Sequence, residues 1–182
     1  MVPTLTYVGG DLLNSPAQTL VNPVKLVGVI GAGLALRFKQ AYPEMFIEYR
    51  EACRTGAIAV GRPWMYRTPR KWIMNFPTKR HWRQRSRIED IEAGLATFAR
   101  TYASEGIRSV AFPALGCGNG GLPWGEVRPL MERYLKELPI DVFIYLPLRE
   151  PAAPGRRAPN GPREWRENEG HRVADTTPRR RL

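Results

Sequence analysis

Pro113-Ala-Leu-Gly-Cys-Gly-Asn-Gly-Gly-Leu-Pro-Trp124 follows directly on the apolar run Ser109-Val-Ala-Phe112 and leads into a helix-like pattern from Trp124 to Leu138. Gly116, Gly118, Gly120 and Gly121 fall within six positions. Glycine at this density lets the backbone turn through positive φ and gather its N–H groups around one point. A concave row of N–H groups at the mouth of a helix is a place for an anion. The order strand, glycine turn, helix is that of an α/β protein that holds phosphate beyond its strand ends.

The rest of the chain extends this pattern. Leu5–Val8 is a strand candidate ending at Gly9-Gly10-Asp11, and Thr19–Asn22 is a second. A run of small and apolar residues, Val27 to Gly33, opens a helix from Leu34 to Tyr42. Pro43 suits the first turn of the next helix and Gly56 its end. Trp64–Tyr66 and Trp72–Phe76 are strands around the turn at Thr68-Pro-Arg70. Ser86-Arg-Ile-Glu89 has the form of a capping box. It opens a helix with apolar residues at 88, 91, 95, 98 and 102, the rhythm of one buried face. In the last helix, Pro129 is expected near the start, where its missing N–H costs less. Ile140–Leu146 is apolar nearly throughout and so suits a central strand. This alternation predicts a three-layer α/β/α domain around a mixed, mainly parallel sheet.

The length of 182 residues suits one domain. Residues 1–149 hold nearly all the large apolar side chains and form that domain. Residues 150–182 carry five prolines and eight arginines. Too little apolar surface remains there to offset the entropy of ordering, so a disordered basic tail is expected, with Trp165 as its one anchor. The net charge is +11, and the body is basic without the tail. A polyanionic partner follows. Cys53 and Cys117 are the two cysteines, and their spacing matches neither a zinc site nor a disulfide framework, so no metal and no cofactor are expected. The N-terminus has no signal-peptide pattern and no apolar run reaches membrane-spanning length, which points to the cytoplasm.

Three glycine turns, Gly9-Gly10-Asp11, Gly31-Ala32-Gly33 and 116–121, follow strand or apolar segments and could converge on one elongated ligand. Two of them open helices and suit phosphates. Asp11 offers a carboxylate for an exocyclic amine, or else an Asx-turn or helix cap. Gly116–Gly121 formally fits the dinucleotide fingerprint, and Asp141 lies about the right distance on. But Asp141 precedes its strand, so a nicotinamide dehydrogenase is rejected. Cys117 is a nucleophile beside His81 or a small apolar filler of the loop. Lys79-Arg-His-Trp-Arg-Gln-Arg-Ser-Arg87 holds five basic residues in nine around Trp82. Cations beside an aromatic ring suit a nucleic-acid backbone and an unstacked base.

Gly-Asp-Leu-Leu (10–13), Leu-Val-Asn-Pro-Val (20–24), Gly-Ala-Gly-Leu-Ala (31–35), Phe-Pro-Thr-Lys (76–79) and residues 113–122 together resemble the macro domain family. Within it they are most similar to the DarG branch, antitoxins that pair with the DNA-modifying toxin DarT. The resemblance covers residues 3–147. It implies a hydrolase that removes ADP-ribose from thymidine bases in DNA, with Lys79 as the essential lysine. It implies an ADP-ribose site made of Gly10, Asp11, Leu12, Val21, Asn22, Gly31, Ala32, Gly33, Leu34, Thr78, Gly116, Cys117, Gly118, Asn119, Gly120 and Gly121. Asp11 would contact the adenine and Asn22 would help shape the ribose pocket. Arg80, Trp82, Arg83 and Arg85 would meet single-stranded DNA, and a DarT-like toxin would be a partner. The alternatives are a macro module that holds ADP-ribose without turnover and a hydrolase of ADP-ribose esters on proteins. Lys25 stands where macro domains usually carry a ribose-contacting asparagine. Ala32 occupies a position often filled by lysine in this branch. Gly120 stands where the related terminal ADP-ribose glycohydrolase has an aspartate.

Overall fold

The computed structural model describes residues 2–147. The basic tail and Trp165 lie outside the described residues. Six strands are β1 (Leu5–Val8), β2 (Thr19–Lys25), β3 (Trp64–Arg67), β4 (Trp72–Lys79), β5 (Ser109–Pro113) and β6 (Asp141–Tyr145). Four helices are α1 (Gly33–Ala41), α2 (Pro43–Thr55), α3 (Ile88–Thr101) and α4 (Trp124–Leu135). The sheet order is β1-β6-β5-β2-β4-β3. Every neighbouring pair is parallel except β3–β4, which is antiparallel at the edge.

The three layers follow from strand alternation. Along β2, Leu20 and Val24 face one side of the sheet and Val21 the other, as period-two side chains must. Leu20, Val24, Ile73 and Ala111 pack with Phe38 of α1 and Met45 and Tyr49 of α2. Val21, Phe76, Phe112 and Ile144 pack with Ile91, Leu95 and Phe98 of α3 and Val127 and Met131 of α4. Gly94 shows how closely α3 lies on the sheet: a Cβ there would fall 2.2 Å from the Phe76 ring. The expected rhythm at 91, 95 and 98 is the buried face of α3. β6, expected to be central, lies between β1 and β5.

Some local expectations are corrected. β2 and β4 run past Pro23 and Pro77 to Lys25 and Lys79. The predicted capping box does not form: the cap of α3 is Arg87, with no side-chain cap bond. Ser86 instead packs its hydroxyl against the glycine turn, where a Cβ on Gly120 would meet it at 2.2 Å. Helix α4 stops at Leu135 rather than Leu138. Because α4 starts at Trp124, Pro129 falls in its second turn, so its missing N–H lies where an intrahelical bond would form.

One irregularity matters for the site. Along the β2–β4 pair, Val24 faces Pro77 and Lys25 faces Lys79. Thr78 is therefore the extra residue of a bulge. The bulge lies at the carboxyl ends of both strands, next to the turns that follow.

Candidate ADP-ribose cleft

Beyond the carboxyl ends of the parallel strands lies a cleft of about 740 Å³. That is the edge at which open α/β sheets bind ligands. Its walls come from Gly10 and Leu12 after β1, Pro23–Lys25 at the end of β2, Val29–Ala35 leading into α1, and Thr78 and Lys79. Pro113, Ala114, Gly116 and Gly118–Gly120 after β5, and Tyr145–Pro147 after β6, complete it.

Two stretches of this wall present main-chain N–H groups. Helix α1 opens with Ala32 as its cap and no side-chain cap bond. Its first-turn amides are thus left to a ligand or solvent. Across the cleft, the glycine turn is closed by Cys117 N–H to the Ala114 carbonyl (3.1 Å), Gly121 N–H to that of Gly118 (3.1 Å) and Leu122 N–H to that of Gly116 (2.9 Å). The amides of Gly118, Asn119 and Gly120 take no part in these bonds. Gly116 (φ 72°) and Gly121 (φ 75°) hold the left-handed conformation that the turn requires. Gly120 is a different case, since a Cβ there would lie 2.4 Å from the Gly116 carbonyl oxygen. As packed, the turn has no room for the aspartate of the related glycohydrolase.

Lys79 at the end of β4 and the segment after it hold this turn through three successive carbonyls. Lys79 Nζ donates to Asn119 (2.9 Å), Ser86 N–H to Gly120 (3.0 Å) and the Arg85 guanidinium to Gly121 (2.7 Å). Lys79 is half-buried, and its ammonium pKa lies below the ordinary lysine value because burial disfavours the charge and Lys25 adds a second cation. Arg80 turns away to Asp90, which it holds with two bonds of 2.9 Å.

Of the residues expected to bind ADP-ribose, Gly10, Leu12, Gly31, Ala32, Gly33, Leu34, Thr78, Gly116, Gly118, Asn119 and Gly120 line the cleft. Five others do not. Val21 is core on the α3–α4 side. Asn22 is fully buried and donates to the Asn75 side chain at 2.9 Å. Cys117 is buried beneath the turn. Gly121 gives its carbonyl to Arg85. Asp11 takes the cap role: Oδ1 accepts from Leu13 N–H at 3.0 Å, and Arg37 pairs with its other oxygen. That bond to Arg37 holds the Asp11 carboxyl below the usual range. Arg37 itself lines the cleft and was missed. Position 37 looks like an ordinary solvated arginine in a helix, and only folding brings it over Asp11. The segment Tyr145–Pro147 was likewise missed, although the carboxyl end of a predicted central strand pointed to it.

In the basic segment, Trp82 is exposed, with the His81 ring 5.4 Å and the Arg83 guanidinium 4.5 Å from its own. Arg80 and Arg85, both expected to meet DNA, are engaged within the protein. Asp90 is buried, and its bond to Arg80 holds its carboxyl below the usual range. A depressed folded-state pKa means that the pair stabilises the fold above the unfolded Asp value of about 3.9 and that this is lost as pH falls through the folded value. Arg80→Ala is expected to lower the melting temperature at pH 7 and to shrink that difference below about pH 4, as thermal melts across pH would read.

Among the described residues no group of three His, Cys, Asp or Glu side chains is placed to hold a metal ion, and no helix is long and apolar enough to cross a membrane. The fold is an α/β domain with its cleft at the carboxyl ends of a mainly parallel sheet. The macro domain family matches over residues 21–131, and the chain belongs to it. It is similar to the macrodomain of Mycobacterium tuberculosis DarG: 44% identity and a TM-score of 0.77, over 80% of this chain and 99% of that one. Thermosipho africanus DarTG, solved in complex with ADP-ribose, is 42% identical with a TM-score of 0.78, over 86% of this chain and 43% of that one. The DNA ADP-ribosyl glycohydrolase of Thermus aquaticus is 44% identical over 154 residues, 82% of this chain and 43% of that protein. The chain thus spans less than half the length of these DNA ADP-ribosyl glycohydrolase relatives.

Proposed function

We propose that the protein binds ADP-ribose in this cleft and removes it from thymidine bases of single-stranded DNA, reversing the action of a DarT-like toxin. The observation that carries this reading is the position of Lys79. Its amine donates to the same turn whose Gly118, Asn119 and Gly120 line the cleft. A diphosphate held by the amides of α1 and the glycine turn would leave its distal ribose near that amine. The relatives named as DNA ADP-ribosyl glycohydrolases support the same substrate.

The bond to be broken joins the anomeric carbon of that ribose to a thymine nitrogen. Water supplies a hydroxyl to the carbon and a proton to the nitrogen. The departing base carries negative charge and the ribose positive charge. A protonated Lys79 stabilises or protonates the base. A neutral Lys79 attacks the carbon directly and is released by water. Its lowered pKa makes the neutral form more abundant than in a free lysine.

DNA is the carrier that the surface favours. Trp82 stands exposed just after Lys79, with the Arg83 guanidinium over its ring, and so offers an aromatic group and a cation to a base and its phosphate. Incubation with a thymidine-ADP-ribosylated oligonucleotide is expected to yield unmodified DNA. Trp82→Ala is expected to weaken single-stranded DNA binding about fivefold to a hundredfold, the range of one lost base stack. Affinity is also expected to fall as salt rises. Salt-independent binding that ignores Trp82 would remove DNA from the reading. A second reading, binding without turnover, is favoured by the closed space at Gly120, which admits no second acidic group. It predicts ADP-ribose binding with the modified oligonucleotide left intact.

A further inference from the structure

Lys25 is the one cleft-lining cation besides Lys79 and Arg37, and its setting is unusual. It sits half-buried at the last position of β2. The bulge at Thr78 brings it into register with Lys79 on the neighbouring parallel strand, and both residues line the cleft. Adjacent residues on paired strands lie about 5 Å apart at the backbone. Leu26 N–H donates to the Lys79 carbonyl at 3.1 Å, and the Tyr49 hydroxyl of α2 donates to the Lys25 carbonyl at 2.6 Å. The first bond ties the two strand ends together, and the second anchors the Lys25 backbone to α2.

Among the described residues, neither lysine has a carboxylate partner. The other ionisable groups around them do not supply one. Asp11 is engaged by Arg37. Tyr49 and Cys53, behind Lys25, are both pushed up by burial and stay neutral. Two cations placed side by side without an anion repel each other. Such an arrangement persists either because a ligand brings the negative charge or because one amine gives up its proton.

Resting on the reading that Lys79 is the working amine, we propose that Lys25 and Lys79 form a coupled pair in which Lys25 acts as a positioning residue that tunes its neighbour and Lys79 performs the chemistry. The bulge at Thr78 is then the device that creates the pair, since a regular ladder would set Lys25 opposite Thr78.

The test reads Lys79 directly. Lysines are carbon-13 dimethylated, Lys25 and Lys79 are assigned by their variants, and the methyl shifts are titrated by NMR in wild type, Lys25→Met and Lys25→Arg. In Lys25→Met the Lys79 midpoint is expected to rise by about half to one pH unit, the scale of one like charge at short range near a surface. In Lys25→Arg, which keeps the charge, it is expected to stay in place. Lys25→Gln repeats the measurement should the methionine variant fail to fold. An unmoved Lys79 midpoint in a folded neutral variant overturns the proposal. The titration requires no turnover. A shifted midpoint with modified DNA left intact would sink the glycohydrolase reading and leave the coupling standing. With turnover present, the pH limb of the rate is expected to move with the midpoint.

Discussion

Lys79→Ala is expected to slow release of ADP-ribose from modified thymidine by two to three orders of magnitude or more, the scale of losing one group aimed at transition-state charge. Affinity for free ADP-ribose is expected to change by only a few fold, because on the proposed reading the amides of α1 and the glycine turn would carry the diphosphate and would remain in place. Calorimetry with the nucleotide and gel separation of the oligonucleotide read the two effects separately. Lys79→Arg then divides the two mechanisms. The guanidinium retains positive charge but is a poor nucleophile. Activity close to wild type in that variant would eliminate the covalent route. The pH dependence carries the same division. Burial and Lys25 set the Lys79 pKa below the ordinary lysine value. If the neutral amine acts, the rate rises with pH and levels above that lowered value. If the ammonium acts, the rate is constant below it and falls as pH rises through it. A Lys79→Ala protein with full activity would end the assignment.

Gly120→Ala is expected to weaken ADP-ribose binding at least about tenfold, or roughly 1.4 kcal/mol. The added methyl would fall 2.2 Å from Ser86 Oγ and 2.4 Å from the Gly116 carbonyl oxygen. The second contact is backbone and cannot be relieved by a rotamer change. The turn must move, and with it the amides of Gly118 to Gly120. Overpacking of this kind costs about 1–3 kcal/mol of stability, and in a domain of this size each kcal/mol lowers the melting temperature by roughly 2–4 °C. The fold should persist. Gly125→Ala is the matched control, since a Cβ there meets nothing within 4 Å and the position is helical. It is expected to leave affinity unchanged. Undiminished affinity in folded Gly120→Ala would mean that the diphosphate is held elsewhere.

Much of this was legible before folding. The apolar rhythm at 91, 95 and 98, Pro43 at a helix start and Gly56 at its end describe local geometry, and local geometry is what periodicity and turn chemistry encode. The glycines at 116–121 announced a tight turn after β5, and that turn forms part of the cleft wall. Ser86 misled. Its spacing to Glu89 has the form of a cap, but contact with a turn some thirty residues away took the side chain instead. Arg80 and Arg85, expected at a DNA surface, also found partners within the fold. A cluster of charges in sequence says nothing about which of them will find Asp90 or the Gly121 carbonyl.

Residue order by itself determined the layers, the parallel sheet and the presence of an amide-lined cleft, because these follow from repeating patterns and from the freedom of individual residues. The tertiary structure alone decided that Asp11 meets Arg37, that Asn22 turns to Asn75, and that a single extra residue in β4 sets Lys25 beside Lys79. Those pairings depend on strand register and on contacts between distant segments, which no local pattern specifies.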